Sequence, residues 1–123
     1  MASLYKRTAE KIESEKPTRY FSKKQETKVA KDIKGKTTKN SGATPFDPGD
    51  VKSEKFLIEC KTKTTHADSI SIKKSWLTKI KQEALFAGKD YEALIFSFGP
   101  DEENYAIIDM MLFQELLEIL EEK

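Results

Sequence analysis

FLIECKTKTT, residues 56–65, runs three apolar residues into an acid, a cysteine and two lysines. Side chains alternate along a strand, so Phe56, Ile58, Cys60 and Thr62 share one face while Leu57, Glu59, Lys61 and Lys63 share the other. The first face anchors the strand in a core. The second carries an acid and a base on the same side as a single leucine. The polar residues Ser53, Glu54 and Lys55 read as a turn, so residues 50–52 and 56–63 form a hairpin. That turn brings Asp50 across the ladder from Glu59. Two carboxylates and an ammonium then converge. Carboxylates held together repel, and a divalent cation between them relieves the repulsion; oxygen ligands of this kind suit Mg²⁺, which keeps several of its own waters. Such a cation lowers the pKa of a water and neutralises charge growing on a phosphate oxygen, while a nearby lysine positions the attacking water. Taken alone, an acid, one residue and a lysine on a strand is equally the pattern of a solvated cross-strand charge pair.

Upstream, residues 35–49, GKTTKNSGATPFDPG, are rich in Gly, Thr, Ser and Pro and read as a loop. Before it the spacing predicts a helix capped by Ser22, with Gln25 completing a capping box and Gly35 as a left-handed stop. Glu26, Val29, Ala30 and Ile33 fall at i, i+3, i+4 and i+7, which puts an acid on the helix's only apolar face. Glu26 either points toward the core side or snorkels from the edge of the stripe into water. Residues 1–21 lack a sustained apolar period and read as a basic arm ahead of a single domain over 22–123.

Downstream, the pattern predicts a third short strand at 69–72, then a helix over 74–87 with Trp76, Leu77, Ile80, Ala84 and Ala87 as its core stripe and Gly88 as its stop. A buried strand at 93–98, a polar turn, a strand at 105–109 and an amphipathic helix over 112–122 complete the order α-β-β-β-α-β-β-α. The last helix carries Leu112, Phe113, Leu116, Leu117 and Leu120 on a wide apolar face, which packs on the sheet or extends to a dimer contact. The expected class is α/β, a mixed central sheet flanked by helices.

A chain of 123 residues with 37% hydrophobic and 35% charged content suffices for one modest core. No apolar run approaches the roughly 18 residues of a membrane helix, so a cytoplasmic location without membrane attachment is expected. One cysteine, Cys60, and one histidine, His66, leave no set of zinc ligands. The net charge of +1 conceals a polarity: residues 1–40 hold 12 Lys/Arg against 5 Asp/Glu, and the remainder 10 against 16. A cationic amino-terminal half suits a polyanion partner, and equally a lysine-rich solvated surface.

Pro48-Gly49-Asp50 followed by Glu59-Cys60-Lys61 resembles the signature of the PD-(D/E)xK nuclease superfamily, whose restriction-endonuclease-like core has the order α-β-β-β-α-β. With Glu26 on the first helix and Ser41-Gly42 in the following loop, the chain is most similar to archaeal-type Holliday junction resolvases and their phage relatives. The resemblance implies a Mg²⁺-dependent endodeoxyribonuclease, with Mn²⁺ as a possible substitute, acting on branched DNA as a homodimer. It implies that Asp50, Glu59 and the Cys60 carbonyl bind metal, that Glu26 completes the site and that Lys61 is the catalytic lysine. Ser41 would sit near the scissile phosphate and Gln82 near the site. Lys63, Lys73 and Lys74 are candidate DNA contacts or, read more simply, solvated lysines. Departures from the pattern are the glycine between Pro48 and Asp50 and a Ser-Gly loop whose basic residue is matched only loosely by Lys36 or Lys39. Linear duplex is the alternative substrate, and a DNA-binding member without activity the alternative class. Trp76 reads as core, and His66 as a loop residue that could shuttle protons.

Overall fold

The structure, a computed structural model, describes residues 18–38 and 49–122. The first helix, α1 (Thr18–Asp32), buries Phe21, Gln25, Glu26, Val29 and Ala30, a stripe spaced by fours and fives along one face. It runs straight through Ser22, so the expected Ser22 cap does not form and the Gln25 side chain is spent elsewhere. Its end is also not the expected glycine stop. Lys34 takes the left-handed conformation (φ 57°) and donates to the Lys31 carbonyl while Gly35 donates to Ala30, a Schellman closure with lysine at the left-handed position. Gly35 serves a different need: a Cβ there would lie 2.5 Å from the Lys52 carbonyl oxygen.

That close approach starts the sheet. Strands β1 (Lys36–Thr37), β2 (Val51–Lys52) and β3 (Phe56–Thr62) pair antiparallel in sequence, with Val51 opposite Ile58 and Lys52 opposite Leu57. Helix α2 (Lys74–Phe86) then crosses over to β4 (Tyr91–Ser97), which lies parallel to β3, and β5 (Tyr105–Ile107) returns antiparallel. The sheet order is β1-β2-β3-β4-β5, and α3 (Met110–Glu121) follows the last strand. The protein is thus α/β with a mixed five-stranded sheet and, among the described residues, three helices.

The element order is the expected one, but its membership differs. Residues 69–72 form no strand, because both edges of β3 are occupied, by β2 and by β4. The extra strand is β1, inside the stretch read as loop; two residues are too few to leave a period in the sequence. Strand β5 stops at Ile107 because Asp109 caps α3, its Oδ1 accepting the Leu112 N–H at 2.8 Å.

The alternation read in residues 56–63 decides which layer each residue meets. Ile58 and Cys60 join Val29 and Ala30 of α1, with Val51, Ala93 and Ile95. Leu57 turns the other way and packs on Ile80 and Ala84 of α2. With both faces of the central strands covered, α3 is left with little to pack on. Of its apolar face only Leu112 is buried, while Phe113, Leu116, Ile119 and Leu120 are exposed. The expectation that this helix lies on the sheet is therefore corrected.

Candidate active site

Glu59 and Lys61 follow Leu57 on the α2 side of β3. Opposite them the ladder continues one residue beyond β2: the Asp50 N–H donates to the Ile58 carbonyl at 2.9 Å, which sets Asp50 against Glu59 as the hairpin reading requires. Asp50 Oδ2 accepts the Cys60 N–H at 2.8 Å, taking the place of a strand carbonyl where β2 has ended. Within a strand the N–H and C=O of one residue point to the same edge, so the Cys60 carbonyl faces the edge that Asp50 occupies. The Cys60 thiol lies on the opposite, α1 side. Burial, with the charges of Asp50, Glu26 and Glu59, holds it far above its ordinary range, so it stays protonated.

Asp50, Glu59 and Glu26 are all buried, at 6%, 7% and 4% exposure, which leaves three carboxyl groups with almost no water between them and the core. Burial first and then the Glu59 carboxylate push Asp50 up to about 8; the Cys60 N–H pulls the other way, while a hydrogen bond with Glu59 and the charge of Glu26 add to the rise. Asp50 therefore keeps its proton near neutral pH, beside Glu59. Glu26 thus turns inward and does not snorkel. Lys61 Nζ stands 3.9 Å from Glu59 Oε1, an ion pair too long for a hydrogen bond.

The donor set is carboxylate and carbonyl oxygen, the chemistry Mg²⁺ prefers, and a cation in place of the Asp50 proton would relieve the repulsion that raises Asp50. In this sense Asp50 and Glu59 fit the ion. Among the described residues no three His, Cys, Asp or Glu side chains come close enough together to hold a metal, so Glu26 acts on the pair through its field.

Two residues of α2 complete the site. Gly49, in the left-handed conformation (φ 74°), donates its N–H to Glu83 Oε2 at 2.7 Å, and a Cβ on it would meet the Leu57 side chain at 2.7 Å. Glu83 thereby holds the peptide that carries Asp50. Its other oxygen lies 3.5 Å from Lys79 Nζ. Burial works against the Lys79 ammonium, but Glu59, Glu83 and Asp50 outweigh it and raise its pKa, which places Lys79 within the field of the pair. The signal for Glu83 was the one that singled out Glu26: an acid in an apolar stripe, three residues after Ile80 and seven after Trp76. Gln82, the expected residue, is exposed beside it.

On the other side of the sheet Gln25 Nε2 donates to the Lys61 carbonyl at 2.8 Å and to Asn104 Oδ1 at 3.0 Å, tying α1, β3 and the β4–β5 turn together just beyond the site. Lys63 is exposed past the end of β3, and Lys73 is exposed at the cap of α2. Lys74 borders a cavity with Lys81, Glu92 and Asp109, between α2 and the strands β4 and β5. Ser41, Lys39 and Pro48 lie outside the described residues. His66 is exposed and hydrogen-bonded to Glu102. Trp76, expected in the core, is half-buried, and the cluster beneath α2 forms without it.

No protein-family model matches the chain, and neither a curated protein nor a solved structure matches it.

Proposed function

We propose that this chain is a Mg²⁺-dependent endodeoxyribonuclease of the PD-(D/E)xK kind, with a restriction-endonuclease-like core, that hydrolyses phosphodiester bonds in branched DNA as a homodimer. The observation that carries the reading is the buried Asp50–Glu59 carboxylate pair with the Lys61 ammonium beside it. A structural pair of this kind would be costly, because two buried acids and one half-exposed lysine stabilise nothing that an apolar trio would not. Bound at the pair, Mg²⁺ supplies charge neutralisation at a phosphate oxygen and an acidified water.

The protein residues divide the remaining work. Asp50 uses Oδ2 to hold the Cys60 N–H, which fixes its carboxylate against Glu59. Glu59 holds its place through the alternation of β3. Lys61 orients the attacking water and balances the charge that grows on the phosphate in an in-line displacement. Glu26 adds negative charge behind the pair, which favours a cation there. Lys63 and Lys73, both exposed, are positioned to meet the phosphate backbone, a mode of contact that reads shape and charge more than sequence. No described helix is long and apolar enough to cross a membrane.

The test is cleavage of labelled four-way junction, linear duplex and single strand, each with Mg²⁺, Mn²⁺ or EDTA. Paired cuts in the junction, lost in EDTA, are the expected result. Glu59→Ala and Lys61→Ala should each lower cleavage by about a hundredfold or more while DNA binding persists. Cutting of linear duplex alone would move the protein to the restriction or repair class with the same residues. Unchanged cleavage by both variants would remove them from the site, and binding without cleavage in any metal would overturn the enzyme.

A further inference from the structure

Trp76 stands in the first turn of α2, its backbone N–H donating to the Lys73 carbonyl at 3.0 Å. Lys61 Nζ lies 4.6 Å from the centroid of its ring and Lys73 Nζ 5.8 Å, both within the range over which an aromatic face attracts a cation. The same Lys61 nitrogen is 3.9 Å from Glu59 Oε1, beyond hydrogen-bond reach. A lysine with four rotatable carbons and one long ion pair has no fixed position. The indole supplies the second restraint. It is also the better one for catalysis, because a ring attracts the ammonium without accepting its protons and leaves them free for a water or a phosphate.

We infer that Trp76 is a positioning residue, whose indole face holds the Lys61 ammonium at the Asp50–Glu59 carboxylate pair. This rests on the nuclease reading for its consequence, and on the geometry alone for its placement. By drawing Lys73 to the same ring, the indole gathers two cations where a phosphodiester is to be held. Its position accords with the half-buried state of the largest residue of the α2 stripe: its ring faces two ammonium groups instead of joining the core cluster.

Two measurements separate the placement from the activity. Reductive ¹³C-methylation keeps lysines cationic, and the Lys61 signal is assigned by its loss in Lys61→Arg. A ring at this distance moves that signal upfield of the other lysines. The displacement should be present in the native chain and in Trp76→Phe and absent in Trp76→Leu, with circular dichroism showing that each variant is folded. In Mg²⁺-dependent cleavage, Trp76→Leu should lower kcat about tenfold with KM within about twofold, and Trp76→Phe should recover most of the loss. An undisplaced Lys61 signal in the native chain overturns the inference without any variant, as does a Trp76→Leu enzyme with native kcat. A displaced signal in a chain that cuts no DNA upholds the contact and overturns the nuclease reading instead.

Discussion

Asp50 is the residue whose environment does most to define the site, since its carboxyl is buried against Glu59 and held at about 8 instead of 3.8. A carboxyl that binds its proton more tightly when folded gives its full stabilisation below the unfolded value and loses it as pH rises through the folded one. In EDTA, thermal stability should therefore fall between about pH 4 and pH 8, and Asp50→Asn should flatten the fall. Mg²⁺ should raise the melting temperature more at pH 8.5 than at pH 6, because the cation replaces the proton; scanning calorimetry checks both. Glu83 acts one step removed, through Gly49. Glu83→Ala orphans a buried N–H and should cost about 1–3 kcal/mol in urea unfolding, whereas Glu83→Gln keeps an acceptor for it and should cost less. Equal losses would mean that the Lys79 pair, and not Gly49, is what Glu83 serves.

Among the elements, β3 behaves as its alternation predicts and α3 does not. Residues 56–62 sort cleanly to the two layers because each face meets a helix. The amphipathic pattern of α3 says only that one face is apolar, and the layers that could receive it are already taken by α1 and α2. Its residues should then differ sharply in cost. Leu112→Ala should destabilise by about 2–5 kcal/mol, and Ile119→Ser, at 67% exposure, by no more than about 0.5 kcal/mol. Urea melts at low protein concentration measure the difference, and comparable losses at the two positions would show that the outer face of α3 is covered. The missing strand at 69–72 and the unexpected β1 have the same origin. A segment becomes a strand where an edge is open, and the composition of 69–72 carries no information about whether β3 has one.

For the molecule as a whole, the charge polarity seen in the sequence becomes a spatial one. Helix α1 exposes Lys23, Lys24, Lys28 and Lys31, with Lys34 exposed just past its end, while α3 exposes Glu115, Glu118 and Glu121 and contains no lysine or arginine. If phosphates are met beside the candidate site, at the exposed Lys63 and Lys73, DNA affinity should fall linearly in log salt, and Lys63→Ala and Lys73→Ala should each reduce the slope by about one. Glu118→Gln should leave it unchanged. Fluorescence anisotropy across a salt series decides this, and unaltered slopes in both lysine variants would place the track elsewhere.

The sequence by itself determined the α/β order, the hairpin that sets Asp50 against Glu59 and the face on which Lys61 lies, because these depend on periods of two and 3.6 residues and on a turn, all local quantities; it put Glu26 on the apolar stripe but left open whether it turned inward, which burial in the fold decided. Only the tertiary structure decided that Trp76 covers Lys61, that Glu83 grips Gly49, that Gln25 holds the Lys61 carbonyl and that α3 is left largely exposed. The first three are contacts between elements apart in the chain, and the last is the face those elements leave uncovered. Periodicity states which face of an element is apolar; which neighbour fills that face depends on what the rest of the fold has already occupied.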